Sequence, residues 1–560
     1  MTLEEYLKES GRRYNSKLGL LGVKFKNPGY HSKVPSGTWV HPMRESLDYA
    51  LELLNEGSRR HASRACDILR RVISLQDQDE ASPTYGIWSW LYEEPLDAMS
   101  PPDWNWADFC GLNLAEIGVR HKKRLPAPLR VRILESLNHA AGAIYRRNMG
   151  PHYTNIAIMG GIVTSLAGEI LRDKRWLGYG RRRLEKCVEH FQFHGGYNEY
   201  NSPTYTWVVA RDCERGLRLL SGAAARRQVK FLWHAAWKTI AEHFHPPTGQ
   251  LAGPQSRSYS TFLSAGFLDW ISARTGTSLR AYTLKGAATH HEAEYEGSSC
   301  LPCPPALRNH FRQAPAKSYA IKRRFIRGSG KNASTWGTTW FAPHACVGSV
   351  NRDFSWDQRR AVLAYWVGDS GKPVSVRLRF LHDGREFASC YMFNRQVGPK
   401  VLSAIHLLLD RGDFHPYFDK PPDNVFLARD FRVSYEFMGE NLNVAALPDG
   451  RFIVSTGSCQ ACVTPAASVF GDVKAAWSTS RGENSINVDG VLYHGRQRAF
   501  DFKRLFPVRI AVGLEISESK STPKFAPMKW QRHSAGNAIS WAGDPNFKIT
   551  FPERAVTCEE

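Results

Sequence analysis

Along the first 300 residues, apolar side chains recur at helical spacing. From Pro42 to Leu75 they run Leu47, Ala50, Leu51, Leu54, then Ala65, Ile68, Leu69 and Val72, with Arg, Glu and Asp between them. The same pattern predicts helices near 106–119, 126–148, 154–172, 205–220 and 227–244. Pro101-Pro102, Pro126, Gly150-Pro151, Gly195-Gly196, Pro203 and Pro246-Pro247 punctuate the series. Many moderate helices joined by loops rich in Trp, Asn, His and Tyr predict a stacked helical-pair array or a toroid.

From Tyr319 onward the period changes. Ala361–Val367, Val374–Phe380, Arg451–Ser455 and Val508–Leu514 are short β-rich runs, and Asp383-Gly384, Pro448-Asp449-Gly450 and Asp489-Gly490 read as turns. This is the spacing of an antiparallel sandwich. The boundary is expected in the Cys300-Leu301-Pro302-Cys303-Pro304-Pro305 stretch, giving a helical domain over 1–305 and a β domain over 306–560, an α+β multidomain chain. There is no βαβ alternation and no Rossmann or P-loop glycine pattern.

Composition narrows the function classes. With 42% hydrophobic and 12% aromatic residues, the chain can bury a sizeable core and is not disordered. No run of about 18 uncharged apolar residues is present, so no membrane-spanning helix and no membrane partner are expected. The start, Met1-Thr2-Leu3-Glu4-Glu5-Tyr6, has no basic or apolar signal region, which leaves the compartment open. The 11 cysteines are scattered and poorly suited to a disulfide framework. A formal charge of +21 favours a polyanionic partner: nucleic acid, an anionic membrane surface or an acidic polysaccharide. Because the excess is spread along the chain and forms no basic tail, a nucleic-acid arm is disfavoured.

The densest polar cluster is His194-Gly-Gly-Tyr197-Asn198-Glu199-Tyr200-Asn201-Ser202-Pro203-Thr204-Tyr205-Thr206-Trp207. Its glycines end one helix, and Ser202 with Pro203 can cap and start the next, which sets Tyr200 and Tyr205 on a helix entry. A second cluster follows at Gly253-Pro254-Gln255-Ser256-Arg257-Ser258-Tyr259, where Arg257 and Tyr259 share a face if the loop is extended. A third, Gly150-Pro151-His152-Tyr153-Thr154-Asn155, opens the helix from Ile156. Lying about 50 residues apart, two helices each, the three entries are expected on one rim. An amide, two tyrosines and an arginine suit elimination across a uronic acid. Asn and Arg neutralise the carboxylate, a tyrosinate takes the C5 proton, and a tyrosine protonates the departing glycosidic oxygen.

In their order Asn155, Tyr200 and Tyr205 in YNEYNSPTY, then Arg257 and Tyr259 in GPQSRSY, these residues resemble polysaccharide lyases of the heparinase, alginate lyase and chondroitin lyase type. The resemblance covers about 100–270 and, more weakly, SVNRDFSWDQRRAVLAYW (349–366). It implies an incomplete α/α toroid followed by an antiparallel β-sandwich, with glucuronan- or alginate-acting members nearest. It makes Asn155 and Arg257 the neutralisers and matches Tyr205 to the catalytic tyrosine. Several relatives keep histidine where Tyr200 stands, so Tyr200, Tyr205 and Tyr259 all remain open as the base.

Supporting residues are expected in the sugar groove. Trp88-Ser-Trp90 and Trp104-Asn105-Trp106 pair rings with amides, His152, Asn198, Glu199 and Gln255 accompany the clusters, and His344 of the β domain is expected to reach the groove. No metal or cofactor is required. Cys300-x-x-Cys303 and Cys459-x-x-Cys462 together mimic a zinc site, but about 155 residues separate them, far from knuckle spacing, and incidental or local redox pairs stand beside that reading. His290-His291-Glu292 and His243-Phe-His245 lack the spacing of a helical zinc motif. There is no Gly-x-Ser-x-Gly elbow. Two further classes stand beside the lyase. One is a glycoside hydrolase using a pair from Asp103, Asp108 and Glu199; the other is a non-catalytic polyanion binder with salt-sensitive affinity. The oligomeric state is not readable from the sequence.

Overall fold

A computed structural model of the chain describes residues 2–289, 301–328, 333–534, 536–541 and 547–557. Cys300 and His290-His291-Glu292 lie outside the described residues. The described chain divides into two compact units. One is built on residues 2–192 and 207–237, the other on 193–206, 238–289 and the chain from Cys303 onward.

The first unit is helical. After α1 (Leu3–Arg13) come α2 (Met43–Glu56), α3 (Arg59–Ile73), α4 (Trp106–Arg120), α5 (Ala127–Arg147), α6 (Thr154–Leu171) and α7 (Lys174–His194). Helices α2, α4 and α6 pack side by side as an inner row, and α3 and α5 pack together outside them. This is the two-layer pairing of an α/α toroid. Burial follows the layers. Outer α3 hides one stripe (Ala65, Ile68, Leu69, Val72) beneath charged residues, whereas inner α6 buries every residue from Thr154 to Gly168. Helix α6 is long and apolar enough to cross a membrane, but its apolar length is spent inside the protein. Arg215 (2.7 Å) and Arg120 (2.8 Å) tie down the buried Glu116 carboxylate, so part of the positive charge serves the interior.

The predicted helical run 42–75 is two helices, broken at Gly57. Helix α7 was not anticipated, because its face is crowded with Arg181, Arg182, Arg183 and Lys186. Helices α8 (Tyr205–Leu219), α9 (Ala223–His243) and α10 (Ala265–Thr275) follow.

The β region of the second unit holds two large antiparallel sheets. In one, the spatial order is Ala476–Arg481, Ser485–Asp501, Val425–Met438, Pro373–His382, Val362–Val367, Ala345–Val350, Thr335–Phe341 and Tyr319–Ile326. In the other it is Arg352–Phe354, Cys390–Val397, Lys400–Leu407, Val508–Ser517, Cys459–Pro465, Phe452–Thr456 and Asn443–Ala446. Val376, Phe380, Tyr435 and Phe437 from the first share a core with Val401, Ile405, Val463 and Leu514 from the second. The alternate residues Leu402 and Ala404 face the other way, onto a small sheet carrying Ile539 and Phe551. An antiparallel β-sandwich therefore follows the helices, as the periodicity predicts. Asp383 and Gly384 form a turn with positive φ (47° and 80°). Asp489-Gly490 does not: it lies inside the strand Ser485–Asp501, where Trp477 crosses the chain. A Cβ on Gly490 would meet the Trp477 ring at 2.8 Å, so this glycine permits close approach rather than a turn.

Candidate functional site: a guanidinium between two tyrosines

The candidate centre lies in the second unit, where the turn 197–204 meets the loop 253–261. The Ser202 hydroxyl accepts from the Tyr205 amide (2.9 Å) as a helix cap and donates to the Arg257 carbonyl (2.6 Å). Asn201 reaches across with its side-chain amide to the carbonyls of Ala252 (2.7 Å) and Pro254 (2.8 Å). The loop 253–261 in turn sits on the sandwich. A Cβ on Gly348 would fall 1.8 Å from the Gly253 oxygen, so glycine there lets the loop lie directly on the strand. Gln255 and Arg360 pair through their backbones (3.1 and 2.8 Å), and Tyr365 Oη donates to the Thr261 carbonyl (2.8 Å).

These ties converge on Arg257. Its Nη2 donates to Tyr205 Oη (3.1 Å) and Tyr259 Oη (3.0 Å), and the two phenolic oxygens are 2.7 Å apart. Its Nη1 pairs with Glu199 Oε1 at 3.3 Å, and its Nε donates to Gln358 Oε1 at 2.6 Å. Cζ of Arg257 also lies 4.6 Å from the centroid of the Tyr205 ring and 4.9 Å from that of Trp356. Tyr205 and Tyr259 are half-buried. Tyr259 borders a pocket of about 360 Å³, open mouth included, with Pro203, Ser258, Ser260 and Phe267 in its wall. Gln255 also lines it. Gln255 is buried, donates to the Leu251 carbonyl (2.8 Å) and leaves its side-chain oxygen without a partner.

Tyr200 differs. It is buried, stacks on Phe325 at 4.4 Å and donates its hydroxyl to Asp353, which also pairs with Arg359 at 2.5 Å. Burial, reinforced by the Asp353 charge, pushes its phenol well above the ordinary tyrosine range. Its backbone carbonyl accepts from Ser256 N (3.1 Å) and Oγ (2.7 Å), so Tyr200 also fastens the Arg257 loop.

The other expected residues lie elsewhere. Glu199 joins the cluster, and Asn198 stands half-buried in the same turn. His344 is on an exposed turn, where its amide donates to the Glu518 carboxylate. In the first unit Asn155 is buried in the first turn of α6, while His152 before it is exposed. Asn105 begins α4, donating to Tyr153 Oη (3.1 Å) and accepting from Arg147 (2.6 Å). Trp106 stacks on Trp90 at 5.2 Å, and Trp104 donates to the Pro83 carbonyl (3.2 Å). Among the hydrolase candidates, Asp103 accepts from Trp90 and from the Asn105 amide, and burial lifts the Asp108 carboxyl to about 7. His245 is a packing residue: burial drops it to about 4, and it bonds Thr248 and the Ala342 carbonyl. Cys459 and Cys462 are buried thiols on one strand, three positions apart and so on opposite faces.

Gln358 and Trp356 were not singled out from the sequence. Their one signal is Trp356-x-Gln358, the same spacing of two as Arg257-x-Tyr259, inside a run already noted for its resemblance.

Residues 19–295 match a family model described as "Domain of unknown function (DUF8769)". No curated protein matches the chain. Among solved structures, the Heparinase III-BT4657 gene product is similar over 90% of this chain and 83% of its own, with a TM-score of 0.38 and 11% identity. Heparan sulfate lyase HepC from Pedobacter heparinus is similar over 99% of this chain and 94% of its own, with a TM-score of 0.32 and 11% identity.

Proposed function

We propose that this protein is a polysaccharide lyase that cleaves a uronic-acid-containing polymer, of the glucuronan or alginate class, by β-elimination. One observation carries the reading: two phenols in mutual hydrogen-bond contact, both touched by one guanidinium nitrogen. In this reading one tyrosine of the pair starts as the phenolate and takes the C5 proton, and the other, a neutral phenol, donates to the glycosidic oxygen on C4. The C5–H and C4–O bonds break, the C4=C5 double bond forms, and no water is consumed. Afterwards one phenol is short of a proton and the other carries the one from C5. A transfer across the 2.7 Å contact between the oxygens restores the pair.

Arg257 stabilises the charge that develops on a phenolic oxygen as its proton leaves. It shares its remaining N–H groups with Glu199 and Gln358, so its main part is to set the tyrosines and only secondarily to meet the substrate carboxylate. Tyr200, protonated and occupied by Asp353, supports the loop, which leaves Tyr205 and Tyr259 as the acid/base pair.

The test is incubation with heparan sulfate, glucuronan and alginate while following the ultraviolet absorbance of the new double bond. The reading expects product on at least one polymer, lost in Tyr205→Phe. Reducing ends without absorbance would instead indicate hydrolysis, and binding without any product a polyanion binder.

A further inference from the structure

A second surface adjoins the Arg257 centre. Trp356, whose ring covers Arg257, lies 5.2 Å edge-on from His415. His415 stacks on Phe418 at 4.1 Å with ring planes 8° apart, and Tyr417 stands 5.9 Å away. Tyr417 and Phe418 are 56% and 58% exposed, among the most exposed large apolar side chains described. Rings left in water in a row, rather than scattered singly, mark a contact surface.

Its backing is held by hydrogen bonds. The Asp419 carboxylate accepts from the amides of Phe414 (2.8 Å) and His415 (3.0 Å). Ser389 Oγ bonds the carbonyls of Arg411 (2.7 Å) and Gly412 (2.8 Å), and His382 Nδ1 holds Asp413 at 2.7 Å. Arg411 lies 5.2 Å from the Tyr417 ring and Arg385 3.9 Å from that of Phe414. Flat faces held in place suit the axial C–H face of a pyranose.

We infer that the 414–418 loop is a stacking platform for the pyranose rings of the same anionic polymer, packed against the Arg257 centre through the buried Trp356 ring and His415. The platform rests on the proposed function for the identity of its occupant. The occupant is a sugar chain rather than a protein segment because the rings lie beside the candidate reaction centre, joined to it by the Trp356–His415 contact. A polymer threading that centre must extend beyond it.

The test adds Tyr417→Ala/Phe418→Ala to Tyr205→Phe and measures retardation in gels containing heparan sulfate, alginate or glucuronan. Because both rings are exposed, the added changes should leave the melting temperature unaltered. The platform predicts that Kd for the retarding polymer rises about tenfold, and that in the active protein kcat/KM falls through KM, more for long chains than for tetrasaccharides. Unsaturated product with unchanged retardation and KM overturns the platform and leaves the reaction standing. Ring-dependent retardation without any unsaturated product does the reverse. No retardation of Tyr205→Phe in any gel overturns both.

Discussion

Tyr200 and Tyr205 are five residues apart in one polar turn, each with its hydroxyl bonded to a neighbouring side chain and an arginine close by. Around Tyr200 everything is closed. Phe325 covers the ring, Asp353 accepts the hydroxyl hydrogen bond, and Arg359, paired with Asp353, favours the phenolate less than burial and the Asp353 charge oppose it. Around Tyr205 the partner is another phenol, the arginine points at the oxygen itself, and the residue is half-buried rather than closed off. A carboxylate facing a phenol holds the proton on, whereas a guanidinium facing it stabilises the oxygen once the proton has gone. The same side chain in the same turn is thus a strut in one place and a candidate acid or base in the other.

The sharpest way to break this contrast is at Tyr205. Tyr205→Phe keeps the ring over Arg257 but removes the proton path, and should lower turnover by about 10²–10⁴-fold with an unchanged melting temperature. Arg257→Ala should cost at least as much, since both phenols lose their shared donor. The converse variant, Tyr200→Phe, should leave elimination largely intact. It deprives buried Asp353 of a partner, so denaturant unfolding should show a loss of about 1–3 kcal/mol. A smaller effect is expected at Glu199. Glu199→Gln releases Arg257 from its largely buried ion pair while keeping an acceptor nearby, and initial rates should show KM for the polymer falling by about fivefold, roughly 1 kcal/mol.

The smallest effect concerns pH and the aromatic loop. Burial alone would lower the His382 ring, but its hydrogen bond to Asp413 and the charges of Asp413 and Asp383 outweigh this and raise it. A group raised in the folded state stabilises fully below its unfolded value, near 6.5, and that contribution is lost as pH rises through the folded value. Amide exchange in 411–419, corrected for intrinsic rates, should therefore show protection declining across that window, and the decline should vanish in His382→Leu.

Much of the scaffold was legible because it depends on period. The helices from Trp106, Thr154 and Tyr205 begin within a residue of where the apolar spacing and the Ser202 cap put them. The strands at Val362, Val508 and Phe452 do the same. What escaped is set by contacts distant along the chain. Gln358 and Trp356 reach Arg257 from about 100 residues away, and nothing local distinguishes them from ordinary sandwich residues. Tyr200 and Tyr205 looked alike in sequence because Asp353, which separates them, lies 153 residues from Tyr200. Gly490 read as a turn because Trp477, which requires it, belongs to the neighbouring strand. The rings at 415–418 carry no periodic signal in a loop and became visible only through the stacking of His415 on Phe418.

The most direct test is the paired turnover of Tyr205→Phe and Tyr200→Phe on whichever of heparan sulfate, glucuronan or alginate yields unsaturated product. The account predicts that Tyr205→Phe is nearly inactive and fully stable, while Tyr200→Phe is active and less stable. Near-normal turnover in Tyr205→Phe, or loss of turnover in a well-folded Tyr200→Phe, would contradict it.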